Sequence, residues 1–191
     1  MKLINFSGLK GRLTLSVLVA LLGLLLLGAF QILHLRSQLL DDRKAMLQAA
    51  VDIAVNTTKG YYAQESKGEL TREQAQKLAR EALSSMRYLG EEYFYIYDSK
   101  GLGVMHPIRP EYVGKSHWER QDKTGAYTVR NMVQAALDKS GFVETRTPRP
   151  GSEVQVPKLH YLQHFVPWDW VVGTGLYIDD LDPLFYQQFR S

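Results

Sequence analysis

The sequence contains no cysteine, and this absence excludes several kinds of chemistry. Without thiols the chain cannot form a disulfide framework, a thiolate metal site or a cysteine nucleophile. It also lacks Gly-x-Ser-x-Gly, a phosphate-binding glycine loop and His-Glu-x-x-His, which mark common enzyme classes. Residues 173–175 read Gly-Thr-Gly but lie within a predicted strand, so close packing of a sheet explains them better. We therefore predict that the protein is not an enzyme.

The sequence does not predict a metal site either. His160 and His164 lie four residues apart on a predicted strand and so share one face. At about 3.3 Å per residue they are roughly 13 Å apart, which is too far for one metal ion. No pair of carboxylates stands at ligand spacing. We therefore predict no metal and no cofactor.

The excess positive charge is confined to the N-terminus. The chain of 191 residues has 23 basic and 20 acidic residues, which gives a formal net charge of +3. Residues 1–35 contain Lys2, Lys10 and Arg12 and no acidic residue, so the rest of the chain is formally neutral. A nucleic-acid-binding protein needs a basic stripe on its folded part, and none is visible. Nucleic acid is therefore not a predicted partner.

Residues 13–33 form an apolar run without a charge. A helix of this length spans about 30 Å, which matches the hydrocarbon core of a bilayer. Lys10 and Arg12 precede the run, so the positive-inside rule predicts a cytoplasmic N-terminus over residues 1–12. A cleaved signal peptide has a shorter apolar region that ends in a small-x-small site. We therefore favour an uncleaved transmembrane helix over residues 13–33, with the remaining chain exported.

Helical periodicity continues beyond this segment and predicts a long membrane-proximal helix over residues 34–66. Its apolar face packs on its own domain, and the near-heptad spacing also leaves room for a homodimer seam. Thr71 and Gln74 form a capping box that begins a second helix, for which Gly90 is a predicted C-cap. The residues of the apolar stripe on the long helix are Leu35, Leu39, Met46, Ala50, Ile53, Thr57 and Tyr61.

After Gly90 the apolar period changes from 3.6 residues to two. The resulting order predicts an α+β fold in which a five-stranded antiparallel sheet has flanking helices. The predicted elements are strands over residues 92–98, 102–106, 142–147, 158–165 and 170–177, with a helix over 127–138.

The exported part resembles the single Cache domain, type 2, over about residues 40–185. The similarity lies in a series of short motifs that occur in order and at the expected spacing. These motifs are residues 93–98 with Gly101, His106 and Pro107, Gly114 and Lys115, Asp122 with Gly125, residues 141–144, 150–152 and 158–159, Tyr161, Pro167 and Trp168, Trp170, and residues 173–180.

The resemblance implies a PAS-like sheet that forms a pocket for a small molecule, as in the extracytoplasmic sensors of bacterial chemoreceptors and related kinases. Typical ligands of the family are short carboxylates such as acetate, propionate, pyruvate or lactate. We therefore expect a Cache sensor domain over residues 67–185, on the periplasmic side of the bacterial inner membrane. Residues 186–191 would form a tail that leads to a second membrane helix, which is absent from the sequence.

A second hypothesis is a standalone, membrane-anchored interaction protein. In that case the Cache fold would be empty, and the long helix would assemble with another receptor instead of responding to a small ligand. The two hypotheses differ in whether the predicted pocket binds a small ligand or stays empty.

A carboxylate that leaves water needs charge-assisted donors. Lys158 begins a predicted strand and His106 precedes a proline, so each could be a solvated or turn residue, but the resemblance implies that both reach the pocket. Arg146 is a further candidate. Arg130 lies on a helix and could equally form a surface ion pair. Trp118 could cover the pocket from a loop.

Hydroxyl groups are the other candidate donors. Tyr93, Tyr95 and Tyr97 share one face of a strand, and the sequence does not say which face meets the pocket. Tyr95 is nevertheless predicted as a ligand contact. Tyr161 is predicted as well, although it alternates with Lys158 and reaches the same side only if the strand twists or bulges. Thr145 and Thr147 stand where many family members have aromatic residues, so we expect a roomier or more polar pocket.

Overall fold

The computed structural model of the protein describes residues 9–181. The chain divides into two compact units, residues 1–41 and residues 42–191. Most of the predicted cytoplasmic segment, the end of the predicted sensor domain beyond residue 181, and the predicted tail over residues 186–191 lie outside the described residues.

Helix α1 (Leu9–Ser66) contains both the predicted membrane segment and the predicted membrane-proximal helix. Its most apolar stretch has a mean hydropathy of 2.6, and none of that stretch is buried in the protein. Among the described residues it is the one helix that is long and apolar enough to cross a membrane. By length and composition, α1 is therefore a possible membrane span.

In the second unit, α1 has a buried face and an exposed apolar face. The exposed face carries Met46 and Ile53, which are seven residues apart. The single stripe predicted from the sequence thus divides into two, because Ala50 belongs to the buried face while Met46 and Ile53 do not. The residues on the buried face are Leu47, Ala50, Val51, Ala54, Val55 and Thr58.

Helix α2 (Arg72–Ser85) begins at the predicted capping box. The Gln74 amide donates to Thr71 Oγ1 at 3.2 Å, and the Thr71 amide donates to Gln74 Oε1 at 2.9 Å. The predicted C-cap at Gly90 is wrong, because Met86 already has extended backbone angles and ends the helix. Gly90 instead occupies a following turn with φ +89°.

Five strands form one antiparallel sheet, as predicted, in the order β2-β1-β5-β4-β3. Strand β4 begins three residues earlier than predicted, because Pro157 pairs with Arg146 and its carbonyl accepts from the Ile178 amide at 3.0 Å. Lys158 therefore lies inside a strand and not at its start. The elements are β1 (Tyr95–Asp98), β2 (Gly103–Met105), α3 (Thr128–Leu137), β3 (Phe142–Pro148), β4 (Gln155–Phe165) and β5 (Trp170–Tyr177).

The two faces of the sheet support different cores. Phe94, Ile96 and Val172 pack in the core that includes α1 and α2. Tyr95 and Tyr97 point to the opposite face, where they pack in the core formed with α3. The strand alternation that the sequence left undecided is thereby resolved, and the odd-numbered tyrosines of β1 face α3.

Replacing Leu83 with alanine should destabilise the protein, because Leu83 is 0% exposed in the core that α2 forms. We expect a loss of about 2–5 kcal/mol in the free energy of unfolding, measured by chemical denaturation of the full chain in detergent. Leu78→Ala on the same helix is the matched control, because Leu78 is 38% exposed. Equal losses for the two variants would contradict this packing.

Candidate ligand-binding cavity

A cavity of about 90 Å³ lies on the α3 side of the sheet. A single water needs roughly 10–15 Å³ of such space, so the cavity has room for several waters or one small organic molecule. The sheet, the first turns of α3 and the loop over residues 106–127 supply most of its wall. Tyr93 lies just before β1, and the sheet supplies Tyr95, Tyr97, Thr145, Thr147, Lys158 and His160. Helix α3 supplies Thr128, Val129 and Met132, and the loop supplies His106, Arg109, Tyr112 and Arg120.

The charged residues of the wall are mostly cations. Arg109, Arg120, Arg146 and Lys158 contribute four positive charges, and Asp122 is the one carboxylate among the lining residues. Asp122 is already used locally, since its Oδ1 accepts from the Thr124 hydroxyl at 2.6 Å and from two backbone amides. The cavity therefore offers an anion more favourable charge than it offers a cation.

Lys158 is the most deeply enclosed of these cations, at 3% exposure. Its Nζ lies 5.1 Å from the ring centroid of Tyr93 and 4.5 Å from that of Tyr177. Among the described residues, no side-chain oxygen forms an ion pair or hydrogen bond with it. Burial lowers the pKa of Lys158 to about 8, although Glu92 opposes this shift. Aromatic faces alone replace little of the hydration that the ammonium loses on burial, so an anion that enters the cavity would interact favourably with it.

His106 contributes a neutral imidazole. Burial, together with the charges of Lys158, Arg109 and Arg120, lowers its pKa to about 3. Its Nδ1 accepts from the Arg109 amide at 3.1 Å, so the ring proton belongs on Nε2. The ring stacks on that of Tyr95 at 5.9 Å between centroids. His106 can therefore donate one hydrogen bond from Nε2 without bringing a further charge.

A chain of hydrogen bonds runs along the wall through four side chains. The Tyr95 hydroxyl lies 2.7 Å from His160 Nδ1, and His160 Nε2 lies 2.9 Å from Thr145 Oγ1. Thr145 Oγ1 is in turn 3.0 Å from Thr147 Oγ1. Tyr95, His160 and Thr145 are all buried. These four residues are called the hydroxyl–imidazole chain below.

Two glycines of β5 make room for this chain. A Cβ at Gly175 would lie 2.6 Å from His160 Nδ1, and a Cβ at Gly173 would lie 2.6 Å from Leu162 and 2.9 Å from the Tyr95 ring. Real side chains do not approach so closely. The Gly-Thr-Gly motif thus serves close packing, as the sequence indicated, and the group packed against Gly175 is the imidazole of His160.

Five of the eight predicted ligand contacts line the cavity. The structure brings together Tyr95, His106, Thr145, Thr147 and Lys158. Thr145 and Lys158 are direct partners in the pairing of β3 with β4. Threonines at these positions thus give the wall two hydroxyl groups, and the wall is polar there.

Tyr161 lies on the other side of the sheet. The pairing of β4 with β5 runs from Lys158 to Phe165 without a shift in register, so simple alternation is preserved. The Tyr161 ring packs on Phe142 at 4.6 Å between centroids. The twist or bulge that would bring Tyr161 and Lys158 to one side is not present.

Trp118 and Arg130 contact each other outside the cavity. The Arg130 guanidinium lies 3.7 Å from the Tyr127 ring centroid and 5.3 Å from that of Trp118, and it pairs with Glu119. Trp118 packs on the core next to α3. The two residues thus join the loop to α3, and neither appears in the cavity wall.

Several wall residues were not among the predicted contacts. His160 is not a predicted ligand contact, although its spacing of two from Lys158 on one strand places both on the same face. Arg109 and Arg120 come from an irregular loop, where no periodicity indicates the direction of a side chain. In the described part of the chain, no group of three or more His, Asp or Glu side chains could hold a metal ion.

Comparisons with known proteins agree on one family. The profile of the family called Single Cache domain 2 matches residues 39–191. The methyl-accepting chemotaxis protein McpP of Pseudomonas putida is 30% identical over 192 residues, which cover 100% of this chain and 35% of that protein. The methyl-accepting chemotaxis protein CtpM of Pseudomonas aeruginosa is 35% identical over 148 residues, or 77% of this chain and 26% of that protein. The chain thus spans about a third or less of these relatives.

A solved structure has the same fold. It is a Cache chemosensory domain whose study concerns carboxylic acid recognition, and it is 32% identical with a TM-score of 0.70. The similarity covers 75% of this chain and 98% of that domain. The α+β sheet described above is therefore the Cache, PAS-like arrangement.

Lys158→Met should stabilise the ligand-free protein, because it replaces a buried, unpaired ammonium with an apolar chain of similar length. We expect a gain of about 1–3 kcal/mol at pH 7 in the free energy of unfolding. The pKa of Lys158 is about 10.5 in the unfolded chain and about 8 in the folded protein, so the unfolded state binds more protons between these two pH values. The free energy of unfolding of the wild type should therefore rise from pH 8 to pH 10.5, and the stability gain from Lys158→Met should shrink. Lys100→Met at an exposed turn is the control. A variant less stable than wild type at pH 7 would contradict the unpaired state of Lys158.

Proposed function

This chain belongs to the Single Cache domain 2 family, and from that premise we propose that its cavity binds a short organic carboxylate as the sensor part of a membrane receptor. The observation that carries the proposal is the buried Lys158 ammonium, which lies in the cavity wall against two aromatic rings with no carboxylate as its partner. A ligand carboxylate supplies the missing charge and acceptor atoms in one step.

Neighbouring groups suit the same ligand. The neutral His106 offers an Nε2 donor, and the hydroxyl groups of Tyr95, Thr145 and Thr147 offer further polar contacts. Arg109 and Arg120 add positive charge from the loop. The cavity of about 90 Å³ limits the ligand to a few carbon atoms. Acetate, propionate, pyruvate and lactate fit these requirements of charge and size.

We assign the other parts of the chain as follows. Residues 13–33 of α1 cross the bacterial inner membrane, with the N-terminus in the cytoplasm and the Cache domain in the periplasm. The chemotaxis proteins McpP and CtpM, to which this chain is similar, are about three times its length. We therefore infer a receptor of the methyl-accepting chemotaxis type, in which the domain itself performs no catalysis.

A direct contact connects the cavity region with the membrane-proximal part of α1. Arg43 donates to the carbonyl oxygen of Tyr177 and pairs with Asp180. The Tyr177 ring is one of the two that contact the Lys158 ammonium. An anion that draws Lys158 away from this ring therefore acts two contacts away from the helix. Binding would shift the helix between two existing states, since a ligand stabilises the state that it binds more tightly.

Short carboxylates should raise the melting temperature of the full chain in detergent, because a ligand that binds only the folded state stabilises it by mass action. Lys158→Met should abolish the shift while Lys100→Met preserves it. Propionamide, which matches propionate in shape but lacks its charge, should have no effect. A bound anion favours protonated Lys158, so affinity should fall as pH rises above about 8. If no acid shifts the wild-type protein while stable oligomers form, the empty interaction module is the better account.

The exposed apolar face of α1 supports a homodimer. Met46 and Ile53 are seven residues apart, which is the spacing of one position in a coiled-coil heptad. We propose that a second copy of this chain covers these side chains, because the same stripe in a partner helix would complete an apolar seam.

The absence of cysteine from the sequence allows a clean test of this dimer. A single Ile53→Cys substitution should give a disulfide-linked dimer under mild oxidation in membranes, because side chains at one heptad position meet across the seam. Lys59→Cys lies on a different face of the helix and should form little dimer. Equal yields from the two variants would indicate random collisions and contradict the seam.

A further inference from the structure

The hydroxyl–imidazole chain has a direction, and that direction is not fixed by the heavy atoms. Burial and the nearby charge of Lys158 lower the pKa of His160 well below its usual value, so the ring is neutral. A neutral imidazole has one N–H group and one lone pair. One of its two hydroxyl partners must therefore accept a hydrogen bond from it, and the other must donate one to it.

In one tautomer the proton is on Nδ1. The ring then donates to the Tyr95 oxygen, and Thr145 donates to Nε2. The Tyr95 hydroxyl then donates to Met132 Sδ at 3.6 Å, to the Thr174 carbonyl at 3.4 Å, or to an acceptor in the cavity. In this state Tyr95 can donate to a cavity acceptor that offers a shorter hydrogen bond than these two weak acceptors do, and Thr145 presents a lone pair.

In the other tautomer the proton is on Nε2, and both roles reverse. Tyr95 donates to Nδ1 and presents lone pairs to the cavity. Thr145 accepts from the ring, so its hydrogen is directed to Thr147 or to the cavity. Proton exchange on one buried ring therefore converts each end of the wall between donor and acceptor, with no movement of the four side chains.

The chain lies beside the proposed carboxylate site. Thr145 is paired with Lys158 across β3 and β4, and His160 follows Lys158 by two residues on the same face. A small ligand that holds its carboxylate on Lys158 has its next carbon atom within the same group of side chains. An oxygen on that carbon would meet the hydroxyl groups of the wall and could form a hydrogen bond with them, whereas a methylene could not.

We propose that the hydroxyl–imidazole chain recognises an oxygen on the carbon next to the ligand carboxylate, and that His160 is the positioning residue that sets which end of the chain donates. This inference rests on the proposed function, because it places the carboxylate on Lys158. It assigns the cavity to 2-oxo and 2-hydroxy acids in preference to plain aliphatic acids of the same length. Because the chain reverses, both an acceptor and a donor at that carbon are accommodated.

Pyruvate, L-lactate and propionate test the preference, because they differ mainly at that carbon. Calorimetric titration of the full chain in detergent should give dissociation constants for pyruvate and lactate at least about tenfold below that of propionate, as expected for one satisfied polar group. Thr145→Val and Tyr95→Phe each remove one hydroxyl with little change in shape. Either should reduce the preference to less than about threefold.

Thr58→Val is the matched control, since Thr58 is also a buried threonine but donates to the Ala54 carbonyl within α1. It should leave the ratio of affinities unchanged. A wild-type protein that binds all three acids equally would overturn this inference while leaving the carboxylate function intact. If none of the three binds, the proposed function fails and the inference fails with it.

The role of His160 has a readout that a merely structural residue would not change. The ¹⁵N shifts of a neutral imidazole report which ring nitrogen carries the proton, and the His160 signals can be identified by their loss in His160→Gln. Pyruvate and lactate should change the tautomer populations of His160, whereas propionate should not. Tautomer populations that are identical in the free protein and with all three acids would contradict the assignment of His160.

Discussion

The enclosure of the Lys158 ammonium without an anionic partner is the interaction on which the cavity depends. A charge removed from water at this depth destabilises the folded chain unless something replaces its hydration. The protein offers two aromatic faces, which attract a cation but accept no conventional hydrogen bond. The same burial that costs stability leaves a strong electrostatic preference for an anion. In the proposed function, ligand binding and folding are thus linked through Lys158.

Burial, together with the charge of Lys158, sets the protonation state of the two histidines in the wall. Burial disfavours a charged ring, and the nearby ammonium adds to this effect, so the pKa values of His106 and His160 are lowered and both rings are neutral. Neutrality changes what they can do: each ring offers a directional donor and acceptor and no further positive charge. The cavity therefore combines one buried cation with neutral groups; in the proposed function the cation binds the carboxylate, and the neutral groups distinguish one ligand from another. Gly175 contributes to this arrangement, because the absence of a Cβ at this position leaves room for the His160 ring.

The fold was more accessible to prediction than the site. The change of period after Gly90 indicated the five strands, because a half-buried sheet imposes alternation on its sequence. The same rule placed Tyr161 and Lys158 on opposite faces, and the structure keeps them there. Arg109 and Arg120 could not be placed, because the direction of a loop side chain depends on distant contacts. His160 could have been included, since alternation put it beside Lys158, but its hydroxyl partners come from β1 and β3, which only the sheet order brings together.

The order of the strands also explains how a small cavity can affect a long helix. Strand β5 is central, so its side chains meet both the wall on one side and the helical core on the other. Its last residue, Tyr177, contacts Lys158 through its ring and Arg43 through its carbonyl group. In the proposed function, a displacement of Lys158 by an anion would therefore act at a strand end that Arg43 of α1 contacts directly. Coupling through such a short path requires no large rearrangement, only two positions of Arg43 that differ in energy by less than the ligand contributes.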